Sequence, residues 1–299
     1  MGGFRFGADF EVEGDRCEAW LYTPVDDADA DPPVVVMAHG FAGERRWRLP
    51  AFARRFAEHG VAALLFDYRG FDGSDGTEHV VDPDRHVADY RAAVERARGL
   101  DRTGDRVGLW GTSFSAGHAL TVAADEPVDA LAVQVPFLDG FRQTRLRFGQ
   151  EGAGWLAWAL LAGLRDRLRA LTWRSPHYVP VAGEPGEHAV LTSPSAKAGY
   201  ERLVPDDEEW PNRCSARVLS KVPFYRPLAS ADEVDCPVLV LQGTSDDVVP
   251  EPPIDDLVDV VDDVERVRMD VGHFDVYTSA FERTVEREAT FLARHLRTD

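Results

Sequence analysis

Short, nearly unbroken apolar runs alternate with amphipathic stretches along most of this chain. Val34-Val35-Val36-Met37-Ala38, Ala62-Ala63-Leu64-Leu65-Phe66 and Val107-Gly108-Leu109-Trp110 are three such runs, and Leu131 to Val135 and Val238 to Leu241 continue the series. They are bounded by Gly, Pro or Asp and are often β-branched, the pattern of strands covered on both faces. Between them the spacing predicts helices at about 47–59, 86–99, 115–124 and 276–296. In the last of these, Phe281, Val285, Ala289, Leu292 and Leu296 recur at helical spacing. The alternation predicts an α/β fold, a mostly parallel central sheet with helices on both faces. Near the start, apolar and polar residues alternate on both sides of Gly14-Asp15, which predicts an antiparallel hairpin at about 8–13 and 16–23. An acidic loop, Asp26 to Asp31, follows it.

The rhythm breaks between Pro136 and about Asp235. This stretch holds a helical, Trp-rich part (Trp155, Trp158, Trp173) and a Pro/Gly-rich loop from Pro176 to Gly186. It is expected to be a cap or lid over residues 137–234, inserted into a core made of 1–136 and 235–299. The run Trp155 to Leu161 is apolar on all sides. It suits the wall of an acyl pocket and equally a helix packed between cap and sheet.

Composition narrows the function. The 299 residues, 44% of them hydrophobic, suffice for a sizeable core. A net charge of −19 argues against nucleic acid and against an anionic membrane surface as partners. Of 33 basic residues only Lys197 and Lys221 are lysines. Excess surface carboxylate with little lysine suggests adaptation to a salt-rich cytoplasm, where salt screens self-repulsion. An ordinary acidic protein from a GC-rich genome is the plainer alternative. Cys17, Cys214 and Cys236 lack metal-ligand spacing and read as free thiols in a reducing compartment. The longest apolar run, Trp155 to Leu164, is too short to span a bilayer, and the first residues lack the apolar stretch of a signal peptide. A soluble, cytoplasmic protein is expected. Its oligomeric state is left open, with a homodimer among the arrangements allowed.

The candidate chemistry begins where the third strand ends in Gly111-Thr112-Ser113-Phe114-Ser115-Ala116-Gly117. A serine on a tight strand-to-helix turn has its hydroxyl lifted clear of the backbone, as in the G-x-S-x-G nucleophile elbow. Here Ser115 stands at the fifth position instead of Gly. Ser113 is the preferred nucleophile over Ser115, which lies inside the helix; the alternative role for Ser113 is a helix N-cap. A serine hydroxyl needs a base. His273, after the strand Val267 to Val271, is at the sheet edge where such sites are built. The base needs a carboxylate to fix its tautomer. Asp246, in Gly243-Thr244-Ser245-Asp246-Asp247, is the first acid after its turn, and Asp247 is the rival. An oxyanion hole requires backbone N–H donors: Phe114, beside the nucleophile, and Phe41, in His39-Gly40-Phe41-Ala42-Gly43. His39 is expected to be structural. Asp67 and Arg69 are expected to form an internal ion pair. Arg165, Arg167 and Arg169, with Asp166, read as a solvated face, as does the acidic cluster Asp206 to Glu209. A histidine metal triad, a phosphate loop and a dinucleotide fingerprint are not found, so no metal and no cofactor are expected.

These motifs, together with Phe66-Asp67-Tyr68-Arg69-Gly70-Phe71-Asp72-Gly73-Ser74-Asp75-Gly76 and the terminal Gly272-His273-Phe274-Asp275-Val276-Tyr277, resemble the α/β-hydrolase superfamily over nearly the whole chain outside the cap. The resemblance implies the α/β-hydrolase fold, with Ser113, Asp246 and His273 at the nucleophile, acid and base positions and Phe41 at the second oxyanion donor. In the cap, the segment His177 to Glu187 is similar to a branch of small microbial hydrolases near the fungal polyketide transferases and thioester hydrolases. That implies a small-molecule acyl ester or thioester as substrate. The expected activity is hydrolysis through an acyl-enzyme on Ser113. A peptidase or an acyltransferase on the same triad, and a catalytically silent ligand-binding relative, are the other readings.

Overall fold

A computed structural model describes residues 4–25 and 31–297. Most of the acidic loop, residues 26–30, therefore lies outside the described residues, as do the first three residues.

The sheet is eight-stranded. In chain order its strands are β1 (Phe4–Gly7), β4 (Ala19–Thr23), β5 (Val34–Ala38), β6 (Ala62–Phe66), β7 (Val107–Thr112), β8 (Ala130–Gln134), β11 (Val238–Gly243) and β12 (Val264–Met269). Their spatial order is β1-β4-β6-β5-β7-β8-β11-β12. The six strands from β6 to β12 run parallel, and β4 and β1 are added antiparallel at one edge. β5 to β8 are buried at every residue, because helices cover both faces. On one face lie α1 (Leu49–Glu58) and α8 (Phe281–Leu296), around Phe52, Phe56, Trp110 and Leu292. On the other lie α2 (Pro83–Arg98), α3 (Phe114–Asp125) and α7 (Pro252–Val260).

The expected α/β architecture is present, with several corrections. The hairpin is split. Its tip pairs β2 (Phe10–Val12) with β3 (Asp15–Cys17), whereas Ala19–Thr23 leaves to join the main sheet and to pair with a first strand the pattern did not reveal. Helix α2 starts earlier than the spacing suggested, because Asp82 caps it and accepts from the Asp84 N–H (3.2 Å), with Pro83 at the first position. The final strand is shifted toward the N-terminus, to Val264–Met269. Helix α8 begins only at Phe281, because Asp275–Tyr277 forms a separate 3₁₀ turn. Helix α7 is not among the helices expected from the spacing; its paired prolines suit a helix start.

Between β8 and β11 the chain leaves the sheet. Its main element is α4 (Gly140–Leu171), broken at Gly152, whose φ is 77°. After it come β9 (Tyr178–Val179), α5 (Ala196–Leu203), β10 (Cys214–Ser215) and α6 (Val218–Lys221). β9 lies within the segment read as a Pro/Gly loop and pairs antiparallel with β10. Asp166 is not on a solvated face: it is buried and accepts from the backbone N–H groups of His177 and Arg217 and from the Arg217 side chain. No helix among the described residues is long and apolar enough to cross a membrane.

Candidate active site

The strand order reverses at β5 and β7: from β5 the chain moves to β6 on one side, then crosses back to β7 on the other. At such a switch point the loops beyond the strand ends diverge and leave a crevice. Gly40 follows β5 there and Ser113 follows β7. The approach is close: a β-carbon on Gly40 would stand 3.2 Å from Thr112 O and 3.3 Å from Ser113 Cβ. The elbow itself is tight. A β-carbon on Gly111 would lie 2.5 Å from Ser115 O and 2.6 Å from Ala116 Cα, so only Gly fits where strand and helix meet.

Ser113 has φ 53° and ψ −117°, a conformation that costs a non-glycine residue roughly 1–3 kcal/mol. Its side chain makes no capping hydrogen bond to α3. Instead its hydroxyl is 3.0 Å from His273 Nε2. Ser115, at the position usually held by Gly, is fully buried. Its Oγ accepts from the Thr112 N–H (2.9 Å) and sits within donating distance of Ala38 O (2.9 Å) and Thr112 O (3.0 Å). The serine therefore laces the elbow to β5, and its hydroxyl is not available to a substrate.

His273 is buried, and its Nδ1 is 2.7 Å from Asp246 Oδ2. The other carboxylate oxygen of Asp246 accepts from the N–H groups of Val248 (2.8 Å) and Val249 (3.0 Å). That network assigns the tautomer: Nδ1–H donates to Asp246, and Nε2 is left to accept from Ser113. Asp247 points away and accepts from the N–H (2.9 Å) and hydroxyl of Ser195. The acid and base loops are also tied by the backbone, with Ser245 N–H on Val271 O (3.2 Å). Ser113, His273 and Asp246 thus form one hydrogen-bonded line, and Ser115 and Asp247 are outside it.

The Phe41 loop is held from two sides. Its carbonyl accepts from Tyr200 Oη (2.6 Å), and its ring packs edge-on against Phe114 at 5.3 Å between centroids. Tyr200 comes from α5, a contribution the sequence did not mark. His39 is buried beneath this loop, with Nδ1 2.9 Å from Gly40 O. Burial lowers its pKa to about 4, so it is neutral and structural. Asp67 and Arg69 do not pair with each other. Asp67 is bound by Arg45, and Arg69 by Asp89 (2.5 Å) and Glu13 (2.7 Å). All three cysteines are free, buried and pushed up in pKa by desolvation, which keeps them protonated and unreactive.

Two cavities meet at Ser113. The larger, about 90 Å³, is lined by Phe41, Ser113 and Phe114 from below and by Trp155, Leu156, Ala159 and Leu160 of α4 from above. Both readings of the Trp155 run hold: Trp155, Leu156, Ala159 and Leu160 line the cavity, and Trp155 and Ala159 also pack into the buried core. The smaller cavity, about 40 Å³, touches Gly40, Glu44, Tyr200, His273 and Phe274. Among the described residues no group of three or more His, Cys, Asp or Glu side chains is placed to hold a metal ion.

Residues 13–265 match the X-Pro dipeptidyl-peptidase (S15) family. The quorum-quenching protein AidA of Acinetobacter baumannii is 35% identical, covering 95% of this chain and 93% of AidA. The polyketide transferase GrgF of Penicillium sp. is 25% identical over 95% of this chain and 94% of its own. The crystal structure of GrgF superposes with a TM-score of 0.78 at 22% identity, covering 98% of this chain and 99% of GrgF. The thiohydrolase AneE of Aspergillus aculeatus is 33% identical over a shorter stretch, 44% of this chain and 42% of its own. This chain accordingly belongs to the X-Pro dipeptidyl-peptidase (S15) family, as a hydrolase or acyltransferase of the α/β-hydrolase fold.

Proposed function

We propose that the protein is a serine hydrolase of carboxylic esters or thioesters, acting through an acyl-enzyme on Ser113. The observation that carries this reading is the line Ser113–His273–Asp246, with contacts of 3.0 and 2.7 Å, at the floor of an apolar pocket. In the first half-reaction Ser113 Oγ attacks the acyl carbon while its proton passes to His273 Nε2. The backbone N–H groups of Phe41 and Phe114 receive the charge that develops on the carbonyl oxygen. Collapse expels an alcohol or thiol, which takes the proton from His273. Water then gives a proton to His273 and adds to the acyl carbon, and Ser113 leaves reprotonated. Asp246 holds His273 in the required tautomer and stabilises the imidazolium. The 137–234 segment serves as an acyl-selecting cap. These steps use no cofactor and no metal.

The choice of ester over peptide rests on the pocket lining. An X-Pro peptidase must hold a free ammonium, which calls for a carboxylate. The larger cavity is lined by apolar residues together with Ser113, Gln143, Thr144 and Arg147, with no Asp or Glu among its lining residues; Glu44 is the carboxylate residue lining the smaller cavity. The names of the thiohydrolase and polyketide transferase relatives point the same way. Acyl transfer is a second reading, favoured by the smaller cavity on the other side of Ser113, where an acceptor alcohol or amine would find room. Turnover of short-chain thioesters, aryl esters and X-Pro amides, followed with and without an added alcohol, tests the proposal. Thioesters or esters are expected to be cleaved at least 100-fold faster than X-Pro amides, with free acid as the main product. Preference for the amide would replace this reading with the peptidase, and ester products formed with the alcohol would replace it with the transferase.

A further inference from the structure

Two buried side chains in the wall of the larger cavity carry polar atoms with no hydrogen-bond partner among the described residues. Gln143 and Arg147 are four residues apart on α4 and so lie on one helix face, and both line the cavity that contains Ser113. Gln143 is 8% exposed and Arg147 6%. The Gln143 amide is oriented by its Nε2 group, which donates to Val248 O (2.8 Å); this leaves Oε1 buried and unpaired. Arg147 Nε and Nη2 are likewise buried and unpaired. Glu151, one turn further on, is engaged by the Thr192 hydroxyl. The Trp155 ring faces the guanidinium carbon at 4.9 Å, which favours a cation but supplies no acceptor oxygen.

Buried donors and acceptors without partners are rare in folded proteins because each is costly to leave unmade. Both Gln143 and Arg147 line the pocket, so the unpaired atoms lie in its wall. A partner that enters the pocket with the ligand would satisfy them. Burial also draws the Arg147 guanidinium below its ordinary value, with Glu151 opposing. An incoming acceptor oxygen would relieve that penalty.

We propose that Arg147 and Gln143 form an acyl-recognition subsite, so that the preferred substrate carries an oxygenated acyl chain. A ketone or carboxylate oxygen, separated by a short aliphatic spacer from the scissile carbonyl, accepts from the Arg147 guanidinium. Gln143 Oε1 takes a hydroxyl of the chain or a bridging water. Trp155, Leu156 and Ala159 pack the spacer. A plain alkyl chain of equal length leaves Arg147 and Gln143 unpaired, and the site discriminates by that penalty. The proposal rests on the Ser113 acyl-enzyme reading for which end of the ligand is cleaved; the binding preference itself stands apart from turnover.

The test is calorimetric binding to the Ser113→Ala chain of three uncleaved amides: N-methylhexanamide, its 5-oxo derivative and the mono-N-methylamide of glutaric acid. The oxygenated amides are expected to bind about 10- to 100-fold more tightly than the alkyl amide. Arg147→Met in the same background is expected to abolish the difference. Arg147→Lys, a milder change that loses the planar fork, is expected to reduce it several-fold. Equal affinity for the three amides, no binding of the oxygenated pair, or a preference that survives both Arg147 variants would overturn the proposal. A glutaric advantage that falls steeply with salt marks the carboxylate as the recognised group, and a salt-independent 5-oxo advantage marks the ketone. Thioesters of the same acids are tested separately with the wild-type chain. Selective binding without turnover would count against the hydrolase reading and leave the subsite intact.

Discussion

The floor and the roof of the pocket are built differently. On the floor, Asp246 has both carboxylate oxygens engaged, and His273 has a partner for each ring nitrogen. The strained Ser113 backbone is clamped between Gly40, Gly111 and the Ser115 hydroxyl. On the roof, α4 is interrupted at Gly152, leaves Gln143 and Arg147 unpaired, and exposes Leu160, Leu161 and Leu164 to solvent. A finished hydrogen-bond network suits groups that must be poised before substrate arrives. An unfinished one suits a surface whose partners come with the ligand. On the proposed function, chemistry belongs to the strand ends and selection to the inserted segment.

Substitutions can break this division. The largest expected effect is on the floor. Asp246→Asn keeps the shape but favours the wrong His273 tautomer, and should lower kcat about 10⁴-fold for every substrate. Asp247→Asn, whose hydrogen-bond partner among the described residues is Ser195, should change kcat less than about 3-fold. Comparable losses in the two variants would mean that the acid is misassigned. On the roof, Trp155→Ala should shift kcat/KM toward bulkier acyl groups by roughly 10-fold while leaving an acetyl ester nearly unchanged. A uniform loss across acyl lengths would erase the distinction between floor and roof.

The floor was largely legible in the sequence. Apolar runs marked β5 to β8 and β11, with Ser113 just past β7 and Asp246 just past β11; His273 follows β12, a strand the pattern placed three residues too late at its start. Strand ends are readable because a doubly covered strand must be apolar and its loop must turn sharply, which leaves Gly and small residues as markers. The roof was legible only in part: Trp155 to Leu161 reads as a pocket wall, but the tertiary contacts around it could not be read. Tyr200 reaches Phe41 O across 159 positions, and no local pattern announces such a contact. Asp166 looked solvated among arginines because its partners, the N–H groups of His177 and Arg217, are contributed by later turns. Asp67 and Arg69, close in sequence, found their countercharges in Arg45 and Asp89. For buried charges, three-dimensional neighbours outweigh adjacency along the chain.

Two smaller effects follow from charge. His39 and His118 are buried, with pKa values lowered from 6.5 to about 4 and about 3, and His86 is displaced in the same direction, all chiefly by desolvation. As pH falls below 6.5 the unfolded chain takes up protons that the folded chain refuses, so stability is full above that pH and is lost toward pH 4. The share of stability these histidines contribute should therefore fall from pH 7 to 4, so the melting temperature of the wild type should fall further over that range than that of His118→Phe, while Asp67, Asp89 and Glu288, whose carboxyl pKa values burial raises, act in the opposite direction in both chains. An equal loss in both chains would mean that His118 is not held neutral. With a net charge of −19, the melting temperature should also rise by several degrees from dilute buffer to molar salt, as screening reduces self-repulsion. No rise would remove the salt-adapted reading.

The most direct test of the central claim is labelling by a fluorophosphonate, read by intact mass and peptide mapping in the wild type and in Ser113→Ala. One adduct on Ser113, absent from the folded variant, is the predicted result. Labelling that persists in Ser113→Ala, or a folded wild type that takes no label, would contradict an activated Ser113.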